Sequence, residues 1–144
     1  MPYQKVLVAV DDSEPSMKAA EHGVQLSLQL GAALAIVFVI DATKVNADTE
    51  SGALAQDQVS MLKIEAGGTL DRIAKKFPEC TFERFIPEGK PSQGIVDIAK
   101  EWQADLIVMG TQGKTGLKRL LLGSTAENII RLSNMPILVV PSKS

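Results

Sequence analysis

Four short, unbroken apolar runs constrain this chain more than any other feature: Lys5 to Val10 (KVLVAV), Ala33 to Ile40 (ALAIVFVI), Asp105 to Met109 (DLIVM) and Pro136 to Val140 (PILVV). A strand with one face in water alternates polar and apolar side chains. A continuous run rich in β-branched residues is instead buried on both faces, which is how strands of a parallel sheet read. A weaker, alternating stretch from Thr81 to Ile86 suits a strand at a sheet edge.

The segments between these runs have helical period. In Pro91 to Trp102, Ile95, Ile98, Ala99 and Trp102 fall at i, i+3, i+4 and i+7, and Pro91 suits a first helical turn. Val59, Leu62, Ala66 and Ile73 form a similar stripe in a helix placed from about Ala55 to Phe77. Glu14 to Leu30 reads as a helix begun by Ser13 as N-cap and closed by Gly31. The last helix is expected from Thr125 to about Ser133, with Ser124 and Glu127 as a capping-box pair. The polar linker from Asp41 to Leu54 is expected to be mobile.

Strands that alternate with helices imply right-handed crossovers that lay helices on both faces of the sheet. The expected fold is therefore α/β, a doubly wound, Rossmann-like, five-stranded parallel sheet spanning residues 1–144 as one domain. Ligands of such sheets sit beyond the carboxyl ends of the strands, where the strand order reverses. Chemistry is to be sought in the loops after strands.

Composition removes several function classes. A formal charge of −2 and few aromatic residues offer a polyanion neither attraction nor stacking surfaces, so no nucleic-acid partner is expected. Cys80 is the only cysteine, which rules out an intrachain disulfide, a thiol zinc site and a CxxC redox pair. Cys80 and the lone His22 read as structural residues, Lys63, Arg72, Lys75 and Lys76 as a solvated helix face, and the five methionines as core filling. The longest apolar stretch, Ala32 to Ile40, is about half the roughly 20 residues a membrane-spanning helix needs. Asp11 and Asp12 follow the first apolar run directly, unlike a signal peptide. A soluble, cytoplasmic protein is the expectation.

One region has the composition of a phosphate cradle. Gly110-Thr111-Gln112-Gly113-Lys114-Thr115-Gly116 follows the fourth apolar run, and Gly123-Ser124 stands at the mouth of the last helix. Glycines let backbone N–H groups approach an anion closely, and a helix N-terminus adds free N–H groups and a favourable dipole. Lys114, Lys118 and Arg119 add charge at the rim. Gly113-Lys114-Thr115 ends like a P-loop, but the position that needs that motif's first glycine holds Val108. The dinucleotide fingerprint G-x-G-x-x-G is absent as well.

The pattern Gly110-x-x-Gly113-x9-Gly123-Ser124, within DLIVMGTQGKTGLKRLLLGSTAENII and before PILVV, resembles the nucleotide-binding signature of the universal stress protein family. KVLVAVDDSEPSMKAA is similar to that family's first strand and helix. The chain differs from the commonest pattern at Gln112, where histidine is frequent, and at Asp12, where glycine is frequent. The resemblance implies a sheet of the adenine nucleotide alpha hydrolase type. It also implies that Ala9, Val10 and Asp11 border the nucleoside and that Val39 packs on adenine at the end of the second strand. Met109 and Gly110 would face the ribose and first phosphates, and Gly113, Lys114, Gly123, Ser124 and Thr125 would surround the phosphate chain. The implied cofactor is ATP, or ADP or AMP, with magnesium or manganese carried by the phosphates. The implied assembly is a homodimer joined through the last strand.

The expected function is that of an adenine-nucleotide-binding stress-response or regulatory module with slow or no hydrolysis, because no base accompanies the cradle. Two rivals stand beside it. One is an interaction subunit with an empty pocket; the other is an enzyme, either a weak ATPase or a nucleotidyl-transfer relative.

Overall fold

A computed structural model describes residues 3–41, 52–111 and 122–141, with residues 52–55 described by backbone alone. Nine elements alternate along the chain: β1 (Lys5–Ala9), α1 (Glu14–Leu30), β2 (Ala33–Val37), α2 (Gly52–Lys76), β3 (Glu83–Phe85), α3 (Pro91–Trp102), β4 (Leu106–Gly110), α4 (Ser124–Leu132) and β5 (Ile137–Val140). The strands form one parallel sheet in the order β3-β2-β1-β4-β5. The chain therefore steps outward from the centre in one direction, returns across β1 and steps outward in the other. The reversal lies between β1 and β4.

That reversal puts the two helix pairs on opposite faces, because each crossover keeps the same hand. Val6, Val8 and Val10 turn to the face covered by α1 and α2, where they meet Ala19, Ala20, Val24, Leu70 and Ile73. Leu7 and Ala9 turn to the other face, against Ile95, Val96 and Ala99 of α3 and Ala126 and Ile129 of α4. A pleat with a period of two residues and apolar side chains at every position makes both cores from one strand. Close approach needs one helical glycine: a Cβ at Gly23 would lie 2.2 Å from Val8 Cγ2.

The bounds of α1 fall where the sequence indicates, although the Ser13 side chain makes no capping hydrogen bond. Ser13 is its N-cap residue, and Gly31 closes it in the left-handed region at φ 64°. Pro91 opens α3. The weak alternating stretch becomes β3, shortened to Glu83–Phe85, at one edge of the sheet.

Several expectations need correction. Strand β2 ends at Val37, short of Ile40; beyond it the chain continues as an isolated bridge between Ile40 and Glu88. α2 begins at Gly52, so the last three residues of the supposed linker are helical; residues 42–51 lie outside the described part. Ser124 is the first residue of α4, not its cap: Gly123 is the N-cap, no side chain caps the helix, and Glu127 instead pairs with Arg131 at 3.0 Å. Met61 is 62% exposed and fills no core, in contrast to buried Met109.

At the amino edge of the sheet, Asp105 Oδ2 accepts the Gln4 and Lys5 amides at 2.8 and 2.9 Å. The Asp105 amide returns a bond to the Lys5 carbonyl at 2.8 Å. This clamp joins the start of β1 to the start of β4.

Candidate functional site

The carboxyl edge is where the predicted site residues meet. Ala9 pairs with Val37, while Val8 pairs with Val108 of β4 on its other side, so the tips of β2, β1 and β4 stand next to one another. Ala9 (6% exposed), Met109 (5%) and Val39 (9%) belong to the core shared with α3 and α4. Val10 faces the opposite core, so its side chain does not share their surface. Its amide is bound to the Val37 carbonyl at 3.0 Å, which prolongs the β1–β2 pairing past the strand end.

Asp11 follows directly, and its conformation is set by α1. The Ser13 amide and the Ser16 hydroxyl both donate to Asp11 Oδ1 at 2.8 Å, and Ser16 Oγ accepts the Asp11 amide at 2.8 Å. Ser16 is only 7% exposed, and these bonds satisfy its buried hydroxyl. They also hold the carboxylate in the turn through Oδ1.

Gly110 lies where α1 begins. A Cβ there would come within 3.3 Å of the Pro15 carbonyl oxygen and 3.4 Å of Pro15 Cβ, so a glycine lets the helix start press on the tip of β4. The next residue, Thr111, donates its amide to Val140 at 3.1 Å. Its carbonyl accepts the Gly123 amide at 2.6 Å.

That last bond brings α4 back to the strand it left. Gly123 adopts an extended conformation, φ −67° and ψ 163°, and the first intrahelical bond runs from the Glu127 amide to its carbonyl at 3.0 Å. The amides of Ser124, Thr125 and Ala126 precede that bond and have no partner within the helix. A nine-residue helix thus presents its positive end beside the tip of β4. The tie to Thr111 also explains why Ser124 is not the cap: the bonded glycine is the last non-helical residue.

Gly113 and Lys114 lie outside the described residues, as do Gln112, Lys118 and Arg119. Of the remaining predicted residues, Ala9, Asp11, Val39, Met109 and Gly110 come from neighbouring strand ends, and Gly123, Ser124 and Thr125 follow through the Thr111 bond. Sequence reasoning missed Ser16, Thr111 and Pro15. A serine in the first turn of a helix, five residues after an aspartate, was the available signal for the first of these.

Among the described residues no group of three or more His, Cys, Asp or Glu side chains is placed to hold a metal ion. His22 is exposed, and Cys80 packs beside the α1–α2 core with Sγ 3.8 Å from Ser27 Oγ. No described helix is long and apolar enough to cross a membrane.

A parallel sheet of order 3-2-1-4-5, with the N-terminus of α4 beside the tip of β4 at the switch point, defines a Rossmann-like α/β domain. The chain belongs to the universal stress protein family, whose model matches residues 2–141. Universal stress protein MJ0531 of Methanocaldococcus jannaschii is 36% identical over 141 residues, covering 96% of this chain and 82% of that protein. Universal stress protein YxiE of Bacillus subtilis is 32% identical, with 96% and 99% covered. The solved structure of MJ0577, also from M. jannaschii, superposes with a TM-score of 0.87 at 32% identity and covers 100% of this chain and 99% of its own. A universal stress protein solved in complex with cAMP matches at a TM-score of 0.71 and 27% identity, covering 99% and 100%.

Proposed function

We propose that this chain binds an adenine nucleotide, ATP or its di- or monophosphate, at the carboxyl edge of the sheet and acts as a regulatory, stress-response module with slow or no hydrolysis. The observation that carries the reading is the Gly123–Thr111 bond at 2.6 Å, which sets the open amides of α4 next to the tips of β1 and β4. Oriented amides and a helix dipole suit a phosphate chain. The second oxygen of Asp11 suits a donor on the nucleoside, and Ala9, Val39 and Met109 supply apolar surface for a base. A relative solved in complex with cAMP supports the adenine-nucleotide class.

Gly113 and Lys114 complete the phosphate site in this reading, as the spacing of the glycines suggests. Magnesium or manganese would arrive on the phosphates, since such ions keep few protein ligands in nucleotide sites. Slow hydrolysis is part of the proposal because the sequence offers the cradle without an obvious base: a cradle lowers a barrier only when a group orients the attacking water and charge is stabilised in the transition state.

We assign the protein to the cytoplasm and to a homodimer paired through β5. That strand ends the sheet, and Leu138 is 40% exposed on it. An open, apolar edge is a surface that pairing across a two-fold axis would cover.

Native mass spectrometry of freshly purified protein tests the proposal. A stoichiometric adenine-nucleotide adduct supports it. A bare polypeptide mass that stays bare after incubation with ATP favours an interaction module with an empty pocket.

A further inference from the structure

Gly94 is the fourth residue of α3, and nothing in its backbone demands a glycine. Among the described residues the positive-φ glycines are Gly31 and Gly89, and Gly94 makes an ordinary first-turn bond to the Lys90 carbonyl at 2.8 Å. A glycine inside a helix costs stability relative to alanine. What it provides here is space for one side chain. A Cβ on Gly94 would stand 2.9 Å from Val39 Cγ2, 3.0 Å from Val39 Cγ1 and 3.6 Å from Val39 Cβ, and its three nearest neighbours are all atoms of that valine.

Val39 cannot yield by moving its backbone cheaply. The flanking amides of Phe38 and Ile40 are bound to Phe85 and Pro87 at 2.9 and 2.7 Å, and the Gly89 amide holds the Ile40 carbonyl at 2.9 Å. The isopropyl group packs with Ala9 and Met109 at the end of the sheet, two residues beyond β2. Crowding from α3 would therefore fall on the Val39 side chain.

We infer that Gly94 is a specificity-determining partner of Val39: the missing side chain on α3 sets how far Val39 recedes, and so the depth of the slot that accepts a purine. This rests on the adenine-nucleotide reading and deepens it, because it assigns base size to a residue on α3, a helix outside the phosphate site proposed above. The contrast with Gly23 is instructive. Its forbidden contact is with Val8, fully buried in mid-sheet, where only packing is at stake.

The test uses the full chain, with affinities for ATP and CTP from calorimetry and stability from thermal unfolding. Gly94→Ala is expected to raise the Kd for ATP about tenfold and that for CTP, whose base is smaller, by less than about twofold. Gly94→Ala combined with Val39→Ala, which restores the lost space, should return ATP affinity to within about threefold of the parent. Should Gly94→Ala fold poorly, Val39→Ile narrows the same slot from the other side without touching α3, and the same loss of ATP over CTP is expected. Unchanged ATP affinity with a lowered melting temperature would make Gly94 a packing glycine like Gly23 and overturn the inference, as would equal losses for ATP and CTP. A parent protein that binds no adenosine phosphate overturns the proposed function itself, and the slot with it.

Discussion

Ser16 and Asp11 hold each other twice: the serine hydroxyl accepts the Asp11 amide and donates to the Asp11 carboxylate, both at 2.8 Å. The exchange ties the tip of β1 to the first turn of α1 and leaves the carboxylate in one orientation. Ser16→Ala removes both bonds and strands a part-buried amide, so a loss of about 1–3 kcal/mol in denaturant unfolding is expected. If Asp11 meets the nucleoside as proposed, ATP affinity should fall as well. Adding Asp11→Asn to Ser16→Ala should then cost less than the two single changes summed, because both act through one carboxylate.

Gly123→Pro addresses the bond that returns α4 to β4. The φ of −67° already suits proline, so the substitution deletes the amide donor to Thr111 with little change in backbone preference. Stability is expected to drop by about 1 kcal/mol, and nucleotide affinity by more than the stability loss suggests, because the helix end is no longer held beside the strand tip. Circular dichroism together with calorimetry separates the two effects.

Asp105→Ala acts at the opposite edge of the sheet. It leaves the Gln4 and Lys5 amides without their carboxylate and should cost roughly 1–3 kcal/mol on thermal unfolding. Nucleotide affinity measured well below the melting temperature should be unchanged. A large loss of affinity would mean that the two edges are coupled.

Gly23→Ala tests the packing argument alone. A Cβ 2.2 Å from Val8 Cγ2 cannot be accommodated unless the Val8 side chain, the helix or the strand moves, and overpacking of this kind typically costs about 1–3 kcal/mol. Combining it with Val8→Ala should recover part of the loss in chemical denaturation.

Leu138→Lys places a charge on the exposed edge strand β5. In the proposed dimer this change would bury an unpaired ammonium, so sedimentation should shift from the mass of two chains to that of one. A parent protein that already sediments as a monomer contradicts the assembly.

The sheet was legible because its strands are almost continuously apolar, so both cores are written into one run of residues such as Val6 to Ala9. A run of the same kind at β5 was expected to be buried on both faces, but there it forms an edge with Leu138 exposed. The length of those runs was misleading at Ile40. Apolar sequence continues there past the ladder, which ends at the Val37–Phe85 pair because its partner β3 ends there; Ile40 only bridges Glu88 beyond it. Ser124 shows the same limit. Serine followed by glutamate is a sound local capping signal, but the tertiary bond from Gly123 to Thr111 decides which residue turns helical first. Spacing singled out Gly110 and Gly123, which the Thr111 bond brings together at the carboxyl edge, whereas the contacts of Ser16 with Asp11 and of Gly94 with Val39 are encoded by no local pattern.

The central claim is that the carboxyl edge between β1 and β4 binds an adenosine phosphate. Isothermal titration of nucleotide-free protein with ATP, ADP and AMP, each to millimolar concentration in the presence of magnesium, measures it directly. Heat of binding at one site per chain is expected for at least one of them, with a matching rise in melting temperature. Absence of both heat and thermal stabilisation for all three would contradict the claim.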